Sequence, residues 1–418
     1  MGGAFFPLGS ELGLLPGCLT PTLQEHLVRL GTWVPFRPAA QLLTDFMGLM
    51  GISEPTARRH TQAAGAVQVA EQTRTVEDYE HHPPPVSPGP DKLLLSADGA
   101  MVPLVDGTWA EVKTLVLGEV AEPEMVAGEA VVHTTALSYF SRLTDNQTFE
   151  RLALIETQRR GVESARAVVA VTDGAEWLQG FIAYHCPEAV RVLDFPHAAE
   201  YISTIGALTL GDGHSPPPDW LATQLHHLKH TGPQPVFAEL RTLAHAHPTA
   251  SDVADALAYL EKREALMQYP DFQAAGWPLG SGSVESANKL VVEARLKGSG
   301  MHWQRTSVNP MLALRNVVCN DRWAEAWPTI ATAWRQSVAQ CQRARHDRHR
   351  AAQREVTALA TVPPTSPVSE AIATLMHPTQ TPPPKESNPP MAPRRPAANH
   401  PWRAPIGKAR YQPKISRP

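Results

Sequence analysis

Cysteine is scarce in this chain. Cys18, Cys186, Cys319 and Cys341 are the only four in 418 residues, and no two form a CxxC pair. Neither a disulfide framework nor a cysteine zinc site is expected, and a reducing cytoplasm is the natural compartment. No apolar run approaches the ~20 residues of a membrane-spanning helix, and the opening MGGAFFPLGS lacks the basic start of a signal peptide. No membrane partner is therefore expected. Aromatic residues make up only 6% of the chain, which disfavours the ring-lined sugar cleft of a glycosidase. Overall positive charge is missing too, with a balance of −4.

The distribution of charge is more informative than its sum. Residues 286–350 hold 11 Lys and Arg against 4 Asp and Glu, and residues 351–418 hold 9 against 3, so residues 1–285 carry −17. An acidic body able to hold cations, joined to a basic C-terminal third, suits a polyanionic partner. Proline is abundant, and 15 prolines fall within 361–418, where apolar periodicity all but vanishes. The segment 351–418 is expected to be a basic, Pro-rich, disordered tail.

Residues 1–80 have helical spacing. PAAQLLTDFMG precedes a turn between Gly48 and Gly51, and Ser53 and Pro55 open SEPTARRHTQAAG. Two short helices around a glycine-containing turn predict a possible helix-turn-helix that would present Arg58 and Arg59 to DNA. HHPPPVSPGPD marks a linker over 81–91. Over 92–210, KLLLSAD, WAEVKTLVLGEV and EAVVHTTALSYFS predict three strands; helices and the buried strands ARAVVAVTD and AVRVLDF then alternate. The order β-β-β-α-β-α-β-α predicts an α/β fold of the α+β kind, a mixed sheet with helices on its faces. Residues 211–280 predict an all-helical insertion, and 281–350 predict basic helices that return to the core.

Three acids stand out. Asp98 and Asp173 are each expected to end an apolar strand before a glycine, and Glu285 lies just past the GSGS loop, with Ser281 or Ser283 as its helix cap. If the two strands are neighbours, the aspartates lie roughly 5 Å apart. Carboxylates that close repel unless they share a proton or a cation. Oxygen ligands on a partly open site suit Mg²⁺, and the imidazole and thiolate set preferred by zinc is missing. His226 with His230, and His245 with His247, lack an evident third ligand and are expected on the surface.

Several stretches taken in order resemble the DDE transposases with an RNase H-like catalytic fold, in particular the Mutator-like branch and the ISKra-type bacterial insertion sequences. They are SADGAMVPL with GTWAEVKTLVLGEV, VTDGAEWL, VLDFPHAAEY, GSGSVESANK, RLKGSGMHWQ and ALRNVVCNDRWAEAW, and they span 92–327. The resemblance implies that Asp98, Asp173 and Glu285 are the catalytic triad, that they hold two Mg²⁺ or Mn²⁺ ions, and that Asp194 and His197 support the site. It also implies double-stranded DNA as partner, namely terminal inverted repeats and target, with homo-oligomerisation on that DNA. The chain departs from the family in lacking a cysteine-rich zinc segment before the helical N-terminal region. Lys289, Arg295, Lys297, Arg305 and Arg315 are expected to position phosphates, and Trp303 to stack on an unpaired base. A metal-dependent nuclease or resolvase, or a decayed or domesticated copy that only binds DNA, are the alternatives.

Overall fold

The computed structural model describes residues 19–48, 51–126 and 129–360. Among the described residues three helices come first. The hydroxyl of Thr20 accepts from the Leu23 N–H and starts α1 (Pro21–Trp33), while α2 (Phe36–Met47) stops at Gly48, whose φ of 60° makes a left-handed cap. Ser53, accepting from the Thr56 N–H, and Pro55 then open α3 (Glu54–His81). The start of α3 is where the sequence places it. However, α3 runs for 28 residues and is not a short recognition helix. The middle of the α2–α3 turn, at 49–50, lies outside the described residues. The expected linker comes next, without regular structure over 83–90.

The meander begins with β1 (Lys92–Pro103) and β2 (Trp109–Val120). The run EAVVHTTALSYFS is not one strand: β3 (Glu124–Val126) and β4 (Glu129–Val131) form a small separate hairpin, and β5 (Thr134–Arg142) returns to the main sheet. Next come α4 (Asn146–Arg159), β6 (Ala167–Thr172), α5 (Glu176–His185), β7 (Val190–Leu193) and α6 (Phe195–Thr209). The main sheet has the order β5-β2-β1-β6-β7. Its β5/β2 and β2/β1 pairs are antiparallel, and its β1/β6 and β6/β7 pairs are parallel. The mixed α/β sheet expected from the element order is therefore present.

Helices cover both faces of this sheet, which is why KLLLSA is continuously apolar. Leu93, Leu95, Leu115 and Leu117 pack against Phe149 and Leu152 of α4 and Phe181 of α5. On the other face, Leu94, Val169, Val171 and Val192 meet α6 and the insertion. That insertion comprises α7 (Pro218–His230), α8 (Pro233–Ala246), α9 (Ser251–Glu261) and α10 (Tyr269–Ala274), all helical as predicted. Farther along the same face, Ala100, Val102, Val112 and Val116 pack against a helical stretch over 282–296 and α13 (Arg305–Cys319). The stretch 282–296 is made of α11 (Gly282–Ala287), a π-helical turn (Asn288–Glu293) and α12 (Ala294–Leu296).

Three asparagines of α13 close the β5 edge. The Asn309, Asn316 and Asn320 amides each accept from a backbone N–H and donate to the same residue's carbonyl, at Leu143, Ser141 and Tyr139 respectively, over 2.8–3.1 Å. The helix thereby supplies the hydrogen bonds of a missing strand and blunts an exposed edge. The last helix, α14 (Trp323–Ala360), crosses the division of the chain into two units at His346/Asp347; of the second unit only 347–360 is described. The tail expected to be disordered from 351 is helical over 351–360, where α14 continues without a break, and its remainder, 361–418, lies outside the described residues. Among the described residues no helix is long and apolar enough to cross a membrane.

Ser141 is fully buried and Asn316 nearly so. Asn316→Ala should strand one buried N–H and one buried C=O and cost about 2–4 kcal/mol. Asn320→Ala, at the more exposed end, should cost less. Urea unfolding midpoints of the two variants check this order, and equal losses would contradict it.

Candidate active site

The parallel pairing of β1 with β6 builds the site. Lys92–Leu95 pair with Ala167–Ala170 in register, and the Ser96 hydroxyl donates to the Val171 carbonyl over 2.5 Å. Carried three residues beyond its last pair, the same register would set Asp98 level with Asp173, and Asp98 feels the charge of Asp173. Asp173, expected to be the last residue of its strand, comes directly after Thr172, the last residue of β6. Asp98 does not end its strand: β1 continues to Pro103, paired with β2 throughout. Gly99 is therefore an extended strand residue and not a turn. Its missing Cβ makes room for a neighbour, since a Cβ there would lie 2.5 Å from Glu111 Oε1. Glu111 also pairs with buried Lys113 Nζ at 3.0 Å, and that ammonium lies over the Trp177 ring.

Asp173 is held from two directions. Its Oδ1 accepts from the Ala175 N–H at 2.9 Å, closing a turn in which Gly174 has a φ of 79°. From the helical insertion, Arg263 donates through Nε and Nη2 to the Gly174 carbonyl at 2.9 and 2.7 Å. The same guanidinium stacks 3.6 Å over Tyr259, whose hydroxyl donates to the Asp173 carbonyl. A Cβ at Gly174 would lie 2.6 Å from Arg263 Nε, so glycine is required both by φ and by this clamp.

Glu285 sits exposed in α11, above the β1–β2 part of the sheet. Ser281 holds the N-cap position without capping through its side chain; its hydroxyl instead approaches Glu285 Oε1 at 3.4 Å. One turn on, Asn288 is buried and its Nδ2 donates to Asp98 Oδ2 at 2.8 Å, whereas its Oδ1 is buried without a hydrogen-bond partner. The π-helical turn here changes the face of everything after it. Regular α-helical spacing predicts Ala294 in the buried stripe, but Ala294 is exposed, and Val292, Arg295 and Leu296 are buried. Such turns recur at functional sites.

Asp194 and His197 are the two residues expected to support the site. Asp194 is buried at the N-cap of α6; its Oδ2 accepts from the His197 N–H at 3.0 Å, and its Oδ1 accepts from the Ser281 N–H at 2.6 Å. One carboxylate thus ties the start of α6 to the loop that launches Glu285. His197 packs its ring against Tyr201 and Tyr259 and lies 3.6 Å from Glu200.

Three of the expected DNA contacts are corrected by burial. Arg295 and Arg315 are 1% exposed and Trp303 is 6% exposed. Arg295 donates to the Gly31 carbonyl and stacks between Phe36 and Trp303, while Arg315 donates to the carbonyls of Leu290, Val291 and Thr32 and lies over Trp33. Both cations therefore serve carbonyls at the C-terminal end of α1, where positive charge is favoured. Trp303 donates from Nε1 to the Leu296 carbonyl and bridges Leu104. Arg58, Arg59, Lys289 and Arg305 are exposed as expected, and Lys297 is paired with Glu293 at 2.7 Å. His226, His230 and His245 are on the surface and His247 is half-buried.

Sequence inspection missed Glu111, Lys113, Tyr259 and Arg263, and gave Asn288 no role. Alternation along WAEVK does place Glu111 and Lys113 on one face of β2. Nothing local marks Arg263, which reaches the site from a distant insertion.

Burial holds the Asp98 carboxyl above its ordinary value of 3.8; the Gly99 N–H opposes this, and the negative charges of Asp173, Glu111 and Glu285 add to it. Among the described residues no three His, Cys, Asp or Glu side chains form a ready-made metal group. The donor chemistry nonetheless fits a hard divalent cation. It is all oxygen, its charges gather around a half-buried aspartate, and the unsatisfied Asn288 Oδ1 lies at its edge.

The raised Asp98 value has a definite sign. The neutral acid is favoured on folding, so its stabilisation is complete below the ordinary value of 3.8 and is lost as pH rises through the higher folded value. Asp98→Asn should therefore melt above the parent at pH 7, with the margin closing as pH falls below about 4. Thermal melts at the two pH values test this, and a less stable variant at pH 7 would refute it.

No protein-family model matches this chain, and no curated protein sequence matches it.

Proposed function

We propose that this chain is a DDE-type transposase with an RNase H-like core, cleaving and joining DNA by metal-dependent phosphoryl transfer. The observation that carries the proposal is that Asp98 of β1 feels the charge of both Asp173, just past the end of the neighbouring parallel strand β6, and Glu285. The sheet order, a meander succeeded by parallel crossovers, supports it. So does the helical insertion that precedes the third acid.

Asp98, Asp173 and Glu285 would hold the divalent ions, Mg²⁺ or Mn²⁺. When bound, such ions activate the attacking water or 3′-hydroxyl and stabilise the leaving oxygen. The surrounding residues position these acids. Asn288 orients Asp98 through its Nδ2, Arg263 and Tyr259 hold the Asp173 turn, and Asp194 holds the loop before Glu285. Exposed Lys289, one residue beyond Asn288, and exposed Arg305 suit phosphate contacts that set the register of the DNA without reading its sequence.

Asp173→Asn should leave the circular dichroism spectrum and DNA affinity unchanged while Mg²⁺-dependent nicking falls about a thousandfold or more, the equivalent of ~4 kcal/mol of lost transition-state stabilisation. Retained nicking refutes the assignment. A labelled-end strand-transfer assay separates a transposase, which joins ends, from a nuclease or resolvase, which only hydrolyses. Binding without any nicking in the parent would mark a DNA-binding protein.

A further inference from the structure

A cleft of about 830 Å³ opens between the start of α2 and α3 on one side and the loop 299–304 on the other. Its walls carry Arg37, Arg58, Arg59 and Arg295 against a single carboxylate, Glu54, which is already engaged by Arg37 at 3.1 Å. Arg58 and Arg59 are exposed and have no acidic counterpart in the cleft. Arg295 belongs to the floor, 1% exposed between Phe36 and Trp303, and serves the Gly31 carbonyl.

The remaining lining is apolar and aromatic. Phe36 and Met301 are half-buried there, Trp303 lies deeper, and the His302 ring is exposed. Basic groups on a groove with ring surfaces are the elements with which proteins hold unpaired nucleotides. The dimensions agree. Clefts of about 300–1,000 Å³ take single drug-sized molecules, whereas a duplex offers a major groove about 12 Å wide that must fit over a free helix. The Arg58 and Arg59 face of α3 is not free, because the 299–304 loop stands across the cleft from it. This is a further physical reason against a helix-turn-helix that docks α3 into a major groove.

The cleft is also joined to the acids by one strand. Trp303 N–H donates to the Pro103 carbonyl, and Val105 N–H donates to the Trp303 carbonyl, so the end of β1 forms its rim. From Asp98 to Pro103 along β1 is roughly 17 Å, a span that a few nucleotides of single strand cover.

We propose that this cleft binds a single-stranded DNA segment a few nucleotides from the scissile phosphate, with the exposed Arg58 and Arg59 on its phosphates and a base against the apolar floor. The assignment rests on the phosphoryl-transfer function proposed above but does not need the metal. Its test is fluorescence anisotropy of labelled (dT)12 with the full chain in EDTA. Parent protein should bind with an affinity that falls with salt. Arg58→Ala/Arg59→Ala should weaken binding roughly tenfold or more and make the slope of log K against log salt shallower by roughly 1.4, two contacts at ~0.7 each. His302→Ala, on the opposite wall, should also weaken it. All three side chains are exposed, and circular dichroism confirms folding.

Unchanged (dT)12 affinity in these variants overturns the proposal. So does binding of thymidine monophosphate as tight as that of (dT)12, which would make the cleft a pocket for free nucleotides. A 12-base-pair duplex bound more tightly than (dT)12 through the same arginines also overturns it, in favour of groove docking. Nicking failure and cleft failure separate cleanly. If Mg²⁺-dependent nicking is lost in Asp173→Asn while (dT)12 ignores Arg58 and Arg59, the cleft assignment alone falls. If the parent shows no nicking but (dT)12 binds through both arginines, the cleft assignment stands.

Discussion

Two carboxylates within reach of each other's charge repel, and much of the surrounding structure concerns how they are kept there. The β1–β6 pairing leads toward Asp98 and Asp173, and buried Ser96 fastens the strands just before them. Beyond that point each acid is restrained by a different part of the chain. Asn288 comes from a π-helical turn, Arg263 and Tyr259 from the insertion, and the Ser281 loop before Glu285 is moored by Asp194. None of these restraints supplies a compensating positive charge directly to Asp98. Burial above all, and then the negative charges of Asp173, Glu111 and Glu285, leave a carboxyl raised above its ordinary value. A fold seeking stability alone would have neutralised it.

The insertion has a defined structural role in this arrangement. Its helices bury Val236, Phe237, Leu240 and Val253 against α6 and the β6–β7 part of the sheet. Arg263 and Tyr259, at the end of α9, then reach back to the Asp173–Gly174 turn. A segment of sequence far from β6 therefore sets the backbone at the second acid. The N-terminal helices are equally bound to the core, since Arg295 and Arg315 join the last carbonyls of α1 to the region after Glu285.

Those residues also show what a sequence can and cannot disclose. Buried strands such as KLLLSA are legible because two-sided burial leaves an unbroken apolar run, and the insertion is legible from helical spacing and its prolines. The continuation of β1 beyond Asp98 is not, because Asp-Gly has the chemistry of a turn, and only the partner strand shows that Gly99 stays extended beside Glu111. Arg295 and Arg315 resemble phosphate contacts because their charge is visible and their burial is not. The π-helical turn adds a residue, rotating every later position by about 100° in a helix of 3.6 residues per turn. A helical wheel drawn from Val284 consequently assigns Ala294 to the core and misses Arg295.

The asparagine ladder of α13 has a consequence for how copies of this chain can associate. Side chains, not a neighbouring strand, occupy the hydrogen-bonding groups of β5 at Tyr139, Ser141 and Leu143. That edge cannot recruit a strand from a second molecule without first being undone. The opposite edge, β7, is only four residues long. The main sheet is thereby sealed at its longer edge, and strand addition by a second molecule would find only the short β7 edge.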